Sequence, residues 1–271
     1  MSPTEARATS GDVFRTKVGA AFPGARAVFR GFDLHRQLRD LGWVDLFLFG
    51  ITGRRFPPEQ LRLLESLWVL TSYPDGRIWN NRVAALAGTA RSTPDLAMAA
   101  ALGVSEASIY GHRNEVRALM FLVRTQQRLQ AGASLGECIE THLQVQGKLA
   151  GYGRPLVSGD ERIEPAMALA RQLGLADGPH VRLAFAVDRH LLAQGRALRM
   201  NYGALVSAFG ADLGFSPREF ALYLFPIFMA GMPPCYLEAA DKPPGAAFAT
   251  PCLAIRYEGV APRVWPGVVS D

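Results

Sequence analysis

Two glycine-marked segments decide how this chain is read: Ile109-Tyr-Gly-His-Arg-Asn-Glu115 and Leu149-Ala-Gly-Tyr-Gly-Arg154. Each sets a tight turn beside side chains that donate hydrogen bonds or protons. The interval between them carries helical patterning, with Val116, Leu119, Met120 and Val123 on one side of a first helix predicted over Glu115 to Leu129. Ser134 and Glu137 then stand at capping-box spacing before Leu135, Ile139 and Leu143. Two turns separated by helix can face each other across one cleft.

Outward from this centre the pattern stays helical. Towards the N-terminus, the turn Ser72 to Gly76 is followed by small-residue helices predicted over Val83 to Ala90 and Leu96 to Leu102, whose alanines and glycines permit close helix contacts. Before them, Pro57-Pro58-Glu59 opens a helix with a broad apolar face of Leu61, Leu64, Leu67 and Trp68, and another begins near Val44. Asp33 is placed to cap a helix through Leu34, Leu38 and Leu41. The only strand signal near the start is Ala20 to Asp33, around a Pro-Gly turn. Towards the C-terminus, helices are predicted over Pro165 to Leu173, Val181 to Leu198 and Ala204 to Gly210. Ser216-Pro217-Arg218-Glu219 starts one more, running through Phe220, Leu224 and Phe228. After Gly231-Met-Pro-Pro234 the tail carries proline breaks, with a short extended candidate over Cys252 to Tyr257. The fold class is all-α, and no repeat of 20 to 50 residues is evident.

Composition sets the outer limits. A chain of 271 residues that is 49% hydrophobic can bury a core as one large domain or two smaller ones. Its net charge of +5 is modest and scattered, which argues against nucleic acid as a partner. Cys138, Cys235 and Cys252 form no metal-ligand pair and no secreted disulfide pattern, as in a reduced intracellular setting. No apolar run reaches a membrane span and the start is polar, so the expectation is a cytoplasmic protein without a membrane partner. There is no phosphate loop, nucleophile elbow, dinucleotide fingerprint or zinc-binding histidine pair, and no metal site is expected.

Among candidate reactive groups, His112 follows a turn glycine and titrates near neutrality, so it is read as either a proton-transfer group or a structural histidine. Gly151 and Gly153 permit close backbone approach around Tyr152, and Arg154 supplies a fork for a carboxylate, phosphate or thioester oxygen. Arg154 is equally able to pair with an acid such as Asp160.

These residues resemble the citrate synthase family, including its shorter citryl-CoA lyase relatives. The likeness runs from Phe29-Arg-Gly-Phe-Asp33 to Tyr257-Glu-Gly259. Asn81-Arg-Val-Ala84 is similar to the family's Ala-Arg-Val-Ala helix, residues 109–115 to its Leu-His-Gly-Gly-Ala-Asn-Glu turn, residues 149–154 to Val-Pro-Gly-Phe-Gly-His, and Asp160-Glu-Arg162 to Asp-Pro-Arg. The resemblance implies a multi-helical homodimer with a large domain (residues 1–111 and 203–271) and a smaller inserted domain (residues 112–202). It also implies a cleft for a carboxylate-containing small molecule and a coenzyme A thioester, with no tightly bound cofactor.

The family's reactive identities are replaced. Tyr110 stands where the resemblance places the first histidine, with His112 at the second glycine, and Arg154 stands at the second histidine. In Arg199-Met-Asn-Tyr-Gly-Ala204 the expected aspartate falls on Tyr202 or Arg199, depending on the alignment. Catalytic candidates are therefore Tyr110, His112, Arg154 and Tyr202. Substrate-binding candidates are Ser72, Arg82, Arg162 and Arg199, and cofactor-binding candidates are Gly151, Tyr152 and Gly153. Two functions follow: a divergent lyase or acyltransferase making or breaking a carbon–carbon bond in a carboxylated acyl-CoA, and a catalytically silent CoA- or carboxylate-binding homologue with a regulatory or scaffold role.

Overall fold

The computed structural model describes residues 14–107, 111–153, 159–249 and 251–265. Helices dominate. The only sheet among the described residues is antiparallel and three-stranded, in the order β1 (Gly19–Phe22), β2 (Arg26–Phe29), β3 (Phe32–Asp33), with Gly19 opposite Phe29. The Pro23-Gly24 corner closes the hairpin: Gly24 takes φ +72°, and Ala25 N–H bonds the Phe22 carbonyl at 3.0 Å.

Residues 34–41 depart from the helix expected there. Asp33 does accept the N–H groups of His35 and Arg36 (3.0 and 3.1 Å), but the chain makes successive turns instead of a helix. Only Leu38 of that stretch is buried, so tertiary packing adds little to a short, weakly nucleated segment.

The first helix, α1 (Trp43–Thr52), ends on left-handed Gly53, and Pro58 opens α2 (Pro58–Val69) from its first turn. Leu63, Leu64, Leu67 and Trp68 of α2 enter the main core. Next come α3 (Trp79–Thr89), α4 (Pro94–Val104), α5 (His112–Gln130), α6 (Leu135–Gln146), α7 (Ile163–Gln172) and α8 (Pro179–Ala193). The Ser134 hydroxyl accepts the Glu137 N–H at the start of α6, as its spacing predicts. The helix α8 stops at Ala193, short of the Leu198 read from periodicity, because Gly195 takes φ +68°.

At the centre lies α9 (Tyr202–Asp212), buried along nearly its whole length from Ala204 to Ala211 and packed on α5 and α8. A helix apolar or small on every side can only be an interior one. Ser216 and Glu219 complete a reciprocal capping box at the start of α10 (Pro217–Leu224), which ends before Phe228 at the Phe225-Pro226 step.

The tail prolines Pro243 and Pro244 follow the end of a helix at Asp241 that the sequence reading did not place, while Pro233 and Pro234 lie inside it. These two occupy the first turn of α11 (Met232–Asp241), where their missing N–H groups are not needed. This helix is the main partner of α3: Ala85 packs with Cys235 and Ala239, while Ala84 packs with Ala101 and Met232. The region read as extended after Cys252 holds a 3-10 turn over Cys252–Ala254 and no strand.

Candidate functional site

Four helix N-termini open onto one cavity of about 570 Å³ between the α3–α4–α11 layer and the main core. Its lining includes Asn80 and Asn81 from α3, Asn114 and Glu115 from α5, Arg162 ahead of α7, and Tyr202 and Gly203 from α9. The amide ends of four helices and two guanidiniums, Arg77 paired with Asp75 and Arg162 paired with Asp160, line it, and the helix ends favour an anion.

The first loop of the cavity is held by backbone contacts. Asn81 Nδ2 donates to the carbonyls of Tyr73 and Asp75, fixing the Ser72–Gly76 turn against the start of α3. The Tyr73 hydroxyl reaches Glu161 Oε1 at 3.1 Å, tying that turn to the segment before α7. Burial raises the Tyr73 pKa, with Arg162 opposing it.

Arg162 is the cationic centre. Its Nε and Nη2 donate to Oδ1 and Oδ2 of buried Asp160, each at 2.9 Å, and its guanidinium lies 4.7 Å from the Tyr202 ring centroid and 5.5 Å from that of Tyr73. Burial alone would lower the Arg162 pKa, but the hydrogen-bonded Asp160 carboxylate outweighs it and raises the value. Asp160 Oδ2 also accepts the Tyr202 N–H at 2.8 Å, so one carboxylate aligns both the arginine and the start of α9.

The second glycine segment reaches the cavity by pairing with residues 199–201. Gly153 N–H donates to the Arg199 carbonyl (2.6 Å), Asn201 N–H donates to the Gly151 carbonyl (2.9 Å), and Asn201 Nδ2 donates to the Gly153 carbonyl (3.0 Å). Gly151 has φ +86°, and a Cβ there would sit 2.7 Å from the Ala204 Cβ, so only glycine lets this segment lie against α9.

The sequence-derived candidates separate into groups. Arg162, Gly151, Gly153 and Tyr202 line the cavity together. The Tyr202 hydroxyl is directed inward to the Leu67 carbonyl at 3.0 Å, and burial pushes its pKa up. Tyr152 is buried, with its hydroxyl on the Ala184 carbonyl at 3.0 Å. Ser72 turns back to the Trp68 carbonyl, Arg82 is exposed over the Phe248 ring, and Arg199 pairs at 3.4 Å with Asp188. None of these last three lines the cavity. His112 lies under the α10 side, stacked on Phe228 at 5.4 Å, with burial pushing its pKa down to about 4. Tyr110 and Arg154 lie outside the described residues.

Glu115 was not singled out by the sequence reading. Its carboxyl reaches the cavity from the first turn of α5, and Oε2 is shielded from solvent with no hydrogen-bond partner. Burial pushes its pKa up to about 7, opposed by a hydrogen bond from its own backbone and by Arg162. A carboxyl that exchanges a proton near neutrality is suited to general acid–base work. The Asn-Glu end of the first segment was its one visible sign. Among the described residues, no group of three or more His, Cys, Asp or Glu side chains could hold a metal ion, and no helix is long and apolar enough to cross a membrane.

The same arrangement of helices recurs in citryl-CoA lyase from Hydrogenobacter thermophilus, with a TM-score of 0.80 at 19% identity over 94% of this chain and 98% of that one. The fold is citrate synthase-like. An ATP citrate lyase from Methanosaeta concilii, solved with (3S)-citryl-CoA, matches at TM-score 0.69 and 15% identity over 94% of this chain and 43% of that one. Citrate synthase from Thermotoga maritima matches at 0.59 and 18% identity, over 86% of this chain and 60% of that one. No protein-family model and no curated protein sequence matches. At these identities the citrate synthase-like likeness is one of fold.

Proposed function

We propose that the cavity binds a carboxylate-bearing thioester of coenzyme A, and that the chain makes or breaks a carbon–carbon bond in it as a divergent citryl-CoA lyase-like enzyme. The observation that carries this reading is the convergence of Arg162 and four helix N-termini on one cavity in a fold shared end to end with a citryl-CoA lyase. Arg162 is stiffened by Asp160 and presents its remaining guanidinium surface to a substrate carboxylate. Gly151 and Gly153 allow the thioester to approach the backbone.

Glu115 is assigned the proton. In the cleavage direction it removes the proton of the substrate hydroxyl, the oxygen forms a carbonyl as the carbon–carbon bond breaks, and the electron pair passes to the thioester α-carbon as an enolate. Return of that proton from Glu115 to the α-carbon completes the products and restores the carboxylate. Tyr110 and Arg154 are proposed to donate hydrogen bonds to the enolate oxygen and the carbonyl oxygen, a role open to groups that do not release a proton at neutral pH.

Release of a keto acid and of the shortened acyl-CoA from citryl-CoA and a panel of carboxylated acyl-CoA esters tests the assignment, since the thioester itself persists through the reaction. Turnover falling at least 100-fold in Glu115→Gln and sharply in Arg154→Ala and Tyr110→Phe is expected; wild-type rates in all three would overturn it. Calorimetric titration with CoA and acetyl-CoA, with and without citrate or oxaloacetate, separates binding from chemistry. Tighter binding with the carboxylate present but no turnover of any ester would assign the chain the silent ligand-binding role instead. We also propose a homodimer, for which sedimentation at micromolar concentration should show twice the 29.4 kDa chain mass.

A further inference from the structure

The cavity around Arg162 is not rich in spare positive charge. Among the described residues that line it, Asp75, Glu115, Asp160 and Glu161 are carboxyls, and Arg77 and Arg162 are guanidiniums. Both guanidiniums are already paired. Arg77 meets Asp75 at 2.7 Å with its own side chain 91% exposed, and Arg162 gives Nε and Nη2 to Asp160 at 2.9 Å each. Arg162 keeps Nη1 and the outer N–H of Nη2, enough for one further carboxylate. A second carboxylate on the same substrate would meet no described cation that is not already matched, and would stand among four carboxyls.

The remaining wall is apolar. Ile78 at the start of α3, Val206 of α9, and Ile227 and Phe228 beyond α10 line the same cavity. Val206 and Ile227 are buried and continuous with the main core, and Phe228 packs against it. Val206 lies one turn along α9 from Tyr202, whose ring the Arg162 guanidinium approaches to 4.7 Å, so cation and apolar wall are neighbours. Such a wall offers a carboxylate no hydrogen bond, and it gains from covering an alkyl group.

We infer that the substrate of this cavity carries one free carboxylate and an apolar substituent on its hydroxyl-bearing carbon, at the position where citryl-CoA carries a second carboxylate. This inference rests on the lyase reading of the cavity and names the substrate class for it. Arg162 takes the carboxylate, and Ile78, Val206, Ile227 and Phe228 cover the substituent. The substrate hydroxyl gives its proton to Glu115 and becomes the carbonyl of a monocarboxylic 2-oxo acid with an apolar side chain. The electron pair of the broken carbon–carbon bond passes to the thioester, and the proton returns from Glu115 to the α-carbon of acetyl-CoA.

Citryl-CoA and its near-isostere with an isopropyl group in place of the terminal carboxylate differ in charge at one position and test the inference. The kcat/KM for release of acetyl-CoA should be about 100-fold or more higher for the isopropyl thioester. Ile227→Ala should narrow that ratio about 10-fold, and Ile78→Ala, at a partly exposed position, serves where the first variant lowers the melting temperature. Cleavage of citryl-CoA at an equal or higher kcat/KM, or an unchanged ratio in the folded variants, overturns the inference and leaves the lyase reading standing. Turnover of neither thioester counts against the lyase reading, and binding then decides the inference. Calorimetric titration with 4-methyl-2-oxopentanoate and oxaloacetate compares the two matching 2-oxo acids. Tighter binding of 4-methyl-2-oxopentanoate supports the inference; tighter binding of oxaloacetate, or no binding of either at millimolar concentration, overturns it.

Discussion

Asp160 and Arg162 form a two-point ion pair across a single intervening residue, and the same aspartate holds the first N–H of α9. Its side chain has no solvent exposure, while that of Arg162 is only 21% exposed. Asp160→Asn removes the charge that balances a mostly buried guanidinium. Leaving one member of such a pair unmatched costs about 3–5 kcal/mol, whereas an exposed pair would cost under ~1 kcal/mol. Denaturant titration should therefore show a loss of at least about 3 kcal/mol in Asp160→Asn. A loss under ~1 kcal/mol would mean that the pair is solvated in solution.

Glu115 and His112 occupy the same first turn of α5 yet have opposite pH linkages. The Glu115 pKa is raised from 4.5 to about 7 in the folded chain, so its protonated form is favoured there and stability falls as pH rises through that window. The His112 pKa is depressed from 6.5 to about 4, so the unfolded chain binds the extra proton and stability falls as pH drops from 6.5 towards 4. Each is an effect of about 3 kcal/mol, and between pH 4.5 and 6.5 they oppose one another. Stability measured from pH 4 to 8 should tilt upward with pH in Glu115→Gln and downward in His112→Gln, relative to the parent. Parallel curves for all three proteins would refute both shifts.

Gly88 of α3 and Gly103 of α4 are predicted to respond to alanine in opposite senses. A Cβ at Gly88 would lie 2.4 Å from the Tyr236 carbonyl oxygen of α11, a backbone atom that moves only with its helix. Gly88→Ala should cost about 2 kcal/mol through overpacking. Gly103 is an exposed helical position with nothing within 4 Å of an added Cβ, so Gly103→Ala should add about 0.5–1 kcal/mol by helix propensity. Thermal unfolding of the two variants checks the α3–α11 contact directly.

Tyr202→Phe should cost about 0.5–1.5 kcal/mol of stability, because the buried Leu67 carbonyl loses the Tyr202 hydroxyl at 3.0 Å and keeps that of Thr71 at 2.8 Å. Its hydroxyl is engaged by the Leu67 carbonyl and burial raises its pKa, so on the proposed assignment turnover should stay within about threefold of the parent. A 100-fold loss in turnover with unchanged stability would return Tyr202 to the catalytic group.

Local signals survived folding wherever one short segment satisfied its own backbone. Ser216 and Glu219 cap each other within three residues, and Pro23-Gly24 turns a hairpin by itself, so both were legible in order along the chain. Residues 34–41 had a cap and apolar spacing but bury little beyond Leu38, and remained turns. No helix was read after Pro234, because a proline's effect depends on its position within a helix and Pro233 and Pro234 do not show theirs locally. The contact of α11 with α3, 150 residues away in sequence on the scale of Ala85 and Cys235, placed them in a first turn.

The order of glycine segments, Asn-Glu and Asp-x-Arg motifs was sufficient to specify an all-α, citrate synthase-like architecture and to mark Gly151, Gly153 and Arg162 as cavity residues. Those signals rest on backbone conformations and side-chain types that a linear chain displays. Which reactive groups face the cavity was decided only in three dimensions. Burial strips water from Glu115 and raises its pKa, while packing stacks His112, three residues earlier on α5, on Phe228 and places it in the lining of a different cavity. Desolvation depends on neighbours brought together from α5, α7 and α9, and spacing along the chain carries no measure of it.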